Sequence, residues 1–121
     1  MIEQIQTGSP AILAFRLSGK LHDQDYRTFV PVIENAIAAA PGPVRLLVEL
    51  IDFHGWDPKA AWDDFKLGIR HYADFERMAL IGDKDWEAWM GQLAKPFTRA
   101  TVRHFDAAEA DAAWAWIREG T

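Results

Sequence analysis

The chain has 121 residues, 50% of them apolar and 26% charged, with a net charge of −5 and a pI near 5.2. That size and balance predict one folded domain over residues 1–121, burying about two thirds of the surface its unfolded chain exposes, rather than a disordered polymer. The acidic balance offers no basic stripe to nucleic acid, and a chain without cysteine has no disulfides, thiol catalysis or thiolate metal sites.

The first residues, MIEQIQTGSPAILAF, carry neither the basic start nor the apolar run of a signal peptide. No stretch reaches the ~20 consecutive apolar residues of a membrane span, so a soluble, cytoplasmic protein is expected. Ile2–Gln6 and Ala11–Leu17 read as strands around Thr7-Gly8-Ser9-Pro10, a hairpin signal, and Ser18-Gly19-Lys20 is expected to break the second. Tyr26, Phe29, Val30, Ile33 and Ile37 then follow at helical spacing, which predicts a helix over Asp23–Ala39 stopped by Pro41-Gly42-Pro43. Val44–Phe53 is β-rich and nearly continuous in apolar character, as a strand covered on both faces should be.

Asp57-Pro58 is an N-cap followed by proline at the first helical position. The helix it opens runs to about Tyr72 or Ala73, with Trp62, Phe65, Ile69 and Tyr72 on one side. Met78–Ile81 is the next strand, followed by an amphipathic helix over about Asp85–Lys95 on which Trp86, Trp89, Met90 and Leu93, with Phe97 beyond, share one face. Thr101–Phe105 is a last short strand, and Asp106 with Glu109 makes a capping-box pattern before a helix bearing Ala110, Ala113, Trp114 and Ile117. Strands alternating with single helices predict an α/β fold: a mixed, mostly parallel sheet, its first strand antiparallel, with four helices packed on it.

Ligands of such sheets gather at the carboxyl ends of the parallel strands. Those ends carry Ser18-Gly19-Lys20, Asp52-Phe53-His54-Gly55-Trp56-Asp57, Gly82-Asp83-Lys84-Asp85 and Asp106. Helix capping accounts for Asp57, Asp106 and one of Asp83 or Asp85, while Asp52 divides between turn stabilisation and ligand contact. His54 is the most open to a functional reading, in a loop with glycine and tryptophan; hydrogen bonding within that loop is the plainer role. His22, His71 and His104 have weaker claims. No histidine spacing suits zinc, no Gly-x-Ser-x-Gly elbow surrounds Ser9 or Ser18, and no glycine-rich phosphate loop precedes a helix. Neither catalysis nor a cofactor is expected.

The aromatic side chains on the two successive helices can be ordinary core. Their concentration beside one strand edge supports a second reading, in which they wall an apolar pocket between the helices at 58–72 and 85–95. Trp56 then stands at the rim, and Trp116, off its helix's apolar stripe, is expected to be exposed. The acids and bases from Asp57 to Arg77 are too balanced to form a polybasic face for anionic lipid, so contact with a membrane surface would be hydrophobic and conditional.

Four segments, LSGKLHDQDY (Leu17–Tyr26), VELIDFHGWDPKAAWDDFKLGIRH (Val48–His71), IGDKDWEAWMGQLAKPF (Ile81–Phe97) and VRHFDAAEADAAWAWI (Val102–Ile117), resemble the SpoIIAA-like family of the STAS domain superfamily. The Gly-Asp-Lys-x-Trp junction with a Pro-Phe close is the most specific part. The resemblance implies a STAS-type fold that acts by binding rather than by catalysis, a likeness to lipid-carrying CRAL-TRIO domains, and helices that open and close over an apolar pocket. Antagonists of anti-sigma factors in that superfamily carry a phosphorylatable Ser or Thr after the central strand; Asp52–Ala61 has neither.

The expected function is therefore a non-catalytic module holding an apolar or amphipathic, lipid-like molecule. Phe53, His54, Trp56, Trp62, Phe65, Ile69, Asp83, Trp86, Trp89, Met90, Leu93 and Phe97 are its candidate site. The alternative is a regulatory protein-interaction module working through an aromatic surface or as a homodimer.

Overall fold

A computed structural model describes residues 1–71, 73–82 and 99–120, without the side chains of Phe65 and Ile69. Five strands form one sheet in the order β1-β2-β3-β4-β5: β1 (Ile2–Ile5), β2 (Ile12–Leu21), β3 (Val44–Trp56), β4 (Phe75–Ile81) and β5 (Thr101–Phe105). β1 pairs antiparallel with β2, and every later pair is parallel, as alternating strands and helices require. Helix α1 spans Asp23–Ala39, α2 spans Pro58–Arg70, and a 3-10 turn over Ala107–Glu109 leads into α3, Ala110–Arg118. These are the α-helices among the described residues; the further one expected over 85–95 lies outside them.

Period-two alternation along β2 and β3 divides the core into two layers. Leu13, Phe15, Leu17, Leu46 and Val48 point to the face covered by α1, through Tyr26 and Ile33, and by α2, through Ala60 and Leu67. Ile12, Ala14 and Leu47 point the other way, where Ala113 and Ile117 of α3 complete a smaller cluster with Ala79, Ile81 and Phe105.

The central strand also carries a buried charge, Arg45, 7% exposed. Its Nη1 donates to the carbonyls of Ile117 (3.0 Å) and Glu119, and its Nε donates to Glu76 at 3.0 Å. Arg77 donates to the Trp116 carbonyl at 2.8 Å. Two arginines of the sheet thus donate to carbonyls at the end of α3, where the helix supplies few N–H partners of its own. Trp116 is half-buried, with the guanidinium carbons of Arg77 and Arg103 5.1 and 5.2 Å from its ring centre, so the expectation of an exposed indole does not hold.

Several boundaries differ from the sequence expectation. β2 runs through Ser18-Gly19-Lys20 to Leu21, and β3 extends past Phe53 to Trp56, because bulges on β3 let Gly19 pair with Phe53 and Leu21 with Trp56. The irregular pairing skips Asp52, whose φ of 47° lies in the left-handed region that Asp tolerates better than most side chains. Gly55, at φ 93°, takes a conformation that residues with side chains rarely adopt. β4 starts at Phe75 rather than Met78, since Phe75 is buried and pairs with Val44.

Candidate functional site

The carboxyl ends of β2 and β3 meet the N-termini of α1 and α2 and are tied there by polar contacts. The Asp57 N–H donates to the Leu21 carbonyl at 2.9 Å, closing strand end on strand end. Asp57 Oδ1 accepts the Ala60 N–H at 2.8 Å, the N-cap expected for α2. Its Oδ2 lies 2.8 Å from His22 Nδ1 at the start of α1. The Ala60 N–H first, and His22 second, hold the Asp57 carboxyl below the usual carboxylate range.

One turn further in, Trp56 Nε1–H donates to Tyr26 Oη at 2.7 Å, and the Tyr26 hydroxyl donates to Asp64 Oδ1 at 2.9 Å. This relay joins β3, α1 and α2 through a tyrosine that is 2% exposed. Burial, followed by the Asp64 charge, raises the Tyr26 phenol far above its ordinary value. Packing around Asp64 also pushes its carboxyl upward, against the pull of the Tyr26 hydroxyl. Asp64 as a residue is exposed, and that access to water limits the rise.

Between α1 and α2 lies a cleft of about 260 Å³, floored by Tyr26, Val30 and Leu67 and edged by Asp23, Asp63 and Lys66. A wider open groove of about 540 Å³ runs between β1 and α1, along Ile2, Phe15, Phe29 and Val32.

The expected site residues fall into three groups. Phe53 is 1% exposed and packs edge-on against Trp56, ring centres 4.9 Å apart. Trp56 is half-buried with its N–H committed to Tyr26, while His54 is exposed near the end of the β3 pairing. Trp62 stands on α2 with 57% of its surface open. Phe65 and Ile69 lie on the same helix, their side chains not described. Asp83, Trp86, Trp89, Met90, Leu93 and Phe97 lie outside the described residues, and so does the opposite wall of the expected pocket.

The remaining histidines have partners of their own. His71 Nδ1 is 2.7 Å from Asp74 Oδ2, and His104 Nε2 is 2.9 Å from the Gly82 carbonyl. Among the described residues no three His, Asp or Glu side chains group to hold a metal ion. No helix among them is long and apolar enough to cross a membrane.

The Tyr26–Trp56–Asp64 relay is not visible in the sequence. Apolar spacing places Tyr26 in a helical stripe, and the Gly-Trp-Asp run places Trp56 at a loop rim. Their meeting depends on β3 running three residues past Phe53, a continuation set by tertiary pairing.

Comparison with known proteins agrees with this architecture. The family model described as SpoIIAA-like matches residues 12–118. The chain belongs to the SpoIIAA-like family. Among solved structures it is similar to an uncharacterized protein with a SpoIIAA-like fold from Shewanella loihica PV-4, at 31% identity and a TM-score of 0.81, covering 97% of this chain and 92% of that one. No curated protein matches. The SpoIIAA-like fold supports a regulatory or binding module in general terms.

Proposed function

We propose that this SpoIIAA-like chain is a non-catalytic binding module for an apolar or amphipathic, lipid-like molecule, held against the outward side of α2. The observation that carries this reading is Trp62, 57% exposed on a helix whose Ala60 and Leu67 are buried against the sheet. A large aromatic with more than half of its surface exposed beside a packed face is a surface that gains by further burial. An indole of about 200 Å² with over half of it open supplies roughly 3 kcal/mol on burial, before association costs. Ile51, 45% exposed near the end of β3, adds further apolar surface on the molecule. Trp56 and His54 sit at the strand end from which α2 departs. In this reading Trp86, Trp89, Met90, Leu93 and Phe97 complete the pocket, with Asp83 at its mouth.

The test is native mass spectrometry and thermal shift on delipidated protein incubated with a mixture of fatty acids and phospholipids. A retained adduct and a raised Tm, both weakened in Trp62→Ala, are expected. No adduct and no shift from any lipid class would overturn the proposal.

A second reading, a protein-interaction module working as a homodimer, draws on a different observation. The open groove along Ile2, Phe29 and Val32 adjoins β1, a strand at the edge of the sheet whose outer side has no strand partner among the described residues. Light scattering on the wild type and on Val32→Asp separates the two: a dimer that dissociates in the variant favours interaction, and a monomer in both removes it.

A further inference from the structure

The two faces of the sheet hold their helices by different means. α3 is seated by buried Ala113 and Ile117. α2 buries Ala60 and Leu67 against the sheet, and among the described residues it also meets α1 through a seam of ionisable groups. Down that seam, His22 meets Asp57 at 2.8 Å, Lys59 Nζ lies 3.4 Å from Asp23 Oδ2, and Tyr26 donates to Asp64 at 2.9 Å. At the far end Glu34 Oε1 accepts from Arg70 at 2.8 Å, and its Oε2 is 3.5 Å from His71 Nε2.

One pair in this seam brings two acids together. Asp63 Oδ2 is shut off from water, and no N–H or O–H of a described residue donates to it. The Asp23 carboxyl lines the same cleft and is the hydrogen-bonding neighbour of Asp63. Two carboxylates so placed repel, whereas a carboxylic acid facing a carboxylate makes a short charge-assisted hydrogen bond. The surrounding charges assign the roles. Asp23 accepts from Arg27 at 2.8 Å and has Lys59 beside it, so it carries the negative charge. Asp63 has Lys66 at 3.7 Å and the weaker pull of Lys59, and no donor on its buried oxygen among the described residues, so it keeps the proton.

We propose that the α1–α2 seam is a proton-operated latch, in which the single proton shared by Asp63 and Asp23 holds α2 against α1 and its loss loosens α2 over the cleft. Hydrogen bonding to Asp23 and burial raise the Asp63 carboxyl above its ordinary value, while the bond to Asp63, with help from Lys59 and Arg27, lowers Asp23. The sign follows for each group. A raised folded value for Asp63 gives a contribution fully present below the ordinary carboxylate value and lost as pH rises through the folded one. A lowered value for Asp23 gives a contribution present above the ordinary value and lost as pH falls through the folded one. The seam is therefore tightest in mildly acidic solution, where the pair holds one proton between them, and slackens as pH rises. Arg27 on α1 and Lys59 and Lys66 on α2 are the cations facing the pair, and they lessen the repulsion without cancelling it. The apolar floor of Tyr26, Val30 and Leu67 is what a loosened α2 uncovers.

Backbone hydrogen exchange of residues 58–70, expressed as protection factors to remove the intrinsic pH dependence of exchange, tests the latch between pH 4 and pH 8. Protection in the wild type should fall about two- to fivefold across that range, the factor a solvent-screened ionic contact carries. Asp63→Asn, which keeps a neutral hydrogen-bonding group facing Asp23, should hold α2 with no such slope, and Asp23→Asn should also abolish it. Asp57→Asn, which alters only the outer end of the seam, should retain it. A wild-type helix whose protection is flat with pH, or an unchanged slope in Asp63→Asn, would overturn the proposal.

Discussion

Replacing Tyr26 by phenylalanine removes one oxygen and, with it, the junction of three elements. That oxygen accepts from Trp56 at 2.7 Å and donates to Asp64 at 2.9 Å, at a residue 2% exposed. A hydrogen bond to a charged group contributes about 1.5–3 kcal/mol and a neutral one about 0.5–1.5. Some of this is offset, because Trp56 is half-buried and Asp64 exposed, so water reaches both orphaned partners. The expected loss is about 2 kcal/mol, which lowers Tm by roughly 8 °C in a domain of this size. Urea denaturation should show a lower midpoint with an unchanged m-value, since no extra surface is exposed. A cycle with Asp64→Asn should return a coupling of about 1 kcal/mol, as contacting residues do. The alkaline limb gives an independent reading. Burial and the Asp64 charge raise the folded phenol above the ordinary tyrosine value near 10. Stability from Tyr26 is thus fully present below pH 10 and lost as pH climbs toward the folded value, a decline that Tyr26→Phe lacks. A loss under about 0.5 kcal/mol, with parallel alkaline limbs in the two proteins, would refute the relay as a structural junction.

Two further substitutions probe the described backbone and core. Arg45→Met removes the donors to the Ile117 and Glu119 carbonyls while leaving Glu76 in solvent, and should cost about 2–3 kcal/mol. Near-ultraviolet circular dichroism should register the change through Trp114 and Trp116, and an unaltered spectrum with unaltered stability would contradict it. Asp52→Val places a β-branched side chain at φ 47° and should destabilise by about 1–2 kcal/mol, whereas Asp52→Asn should be close to neutral in the same urea titration. Equal midpoints for the two would dismiss the left-handed bulge.

The elements governed by local chemistry are legible in the amino-acid order alone. Helix α1 spans the residues marked out by its apolar spacing and the Pro41-Gly42-Pro43 stop, and α2 begins at Pro58 behind the Asp57 cap. The antiparallel first strand follows from the turn signal, and the parallel sheet from strand–helix alternation. Features set by pairing are not legible. Ser18-Gly19-Lys20 looks like a break in the sequence, and only the bulged register with β3 keeps it in the strand. Arg45 sits inside an apolar run, and its carbonyl acceptors stand 72 and 74 residues away. In the candidate site, periodicity cannot tell the exposure of Trp62 from core packing, since both readings place an indole on one face of a helix. The Asp57 cap, by contrast, is written in two adjacent residues.

The guanidinium of Arg45 also imposes an order on biogenesis. Emerging vectorially from a ribosome, strand β3 presents a cation at the heart of the nascent sheet well before the carbonyls of Ile117 and Glu119 exist to receive it. The side that α1 and α2 cover can consolidate cotranslationally; the side beneath α3 stays wet around a solvated ion until synthesis has passed those acceptors. One of this protein's two hydrophobic compartments is therefore sealed later than the other.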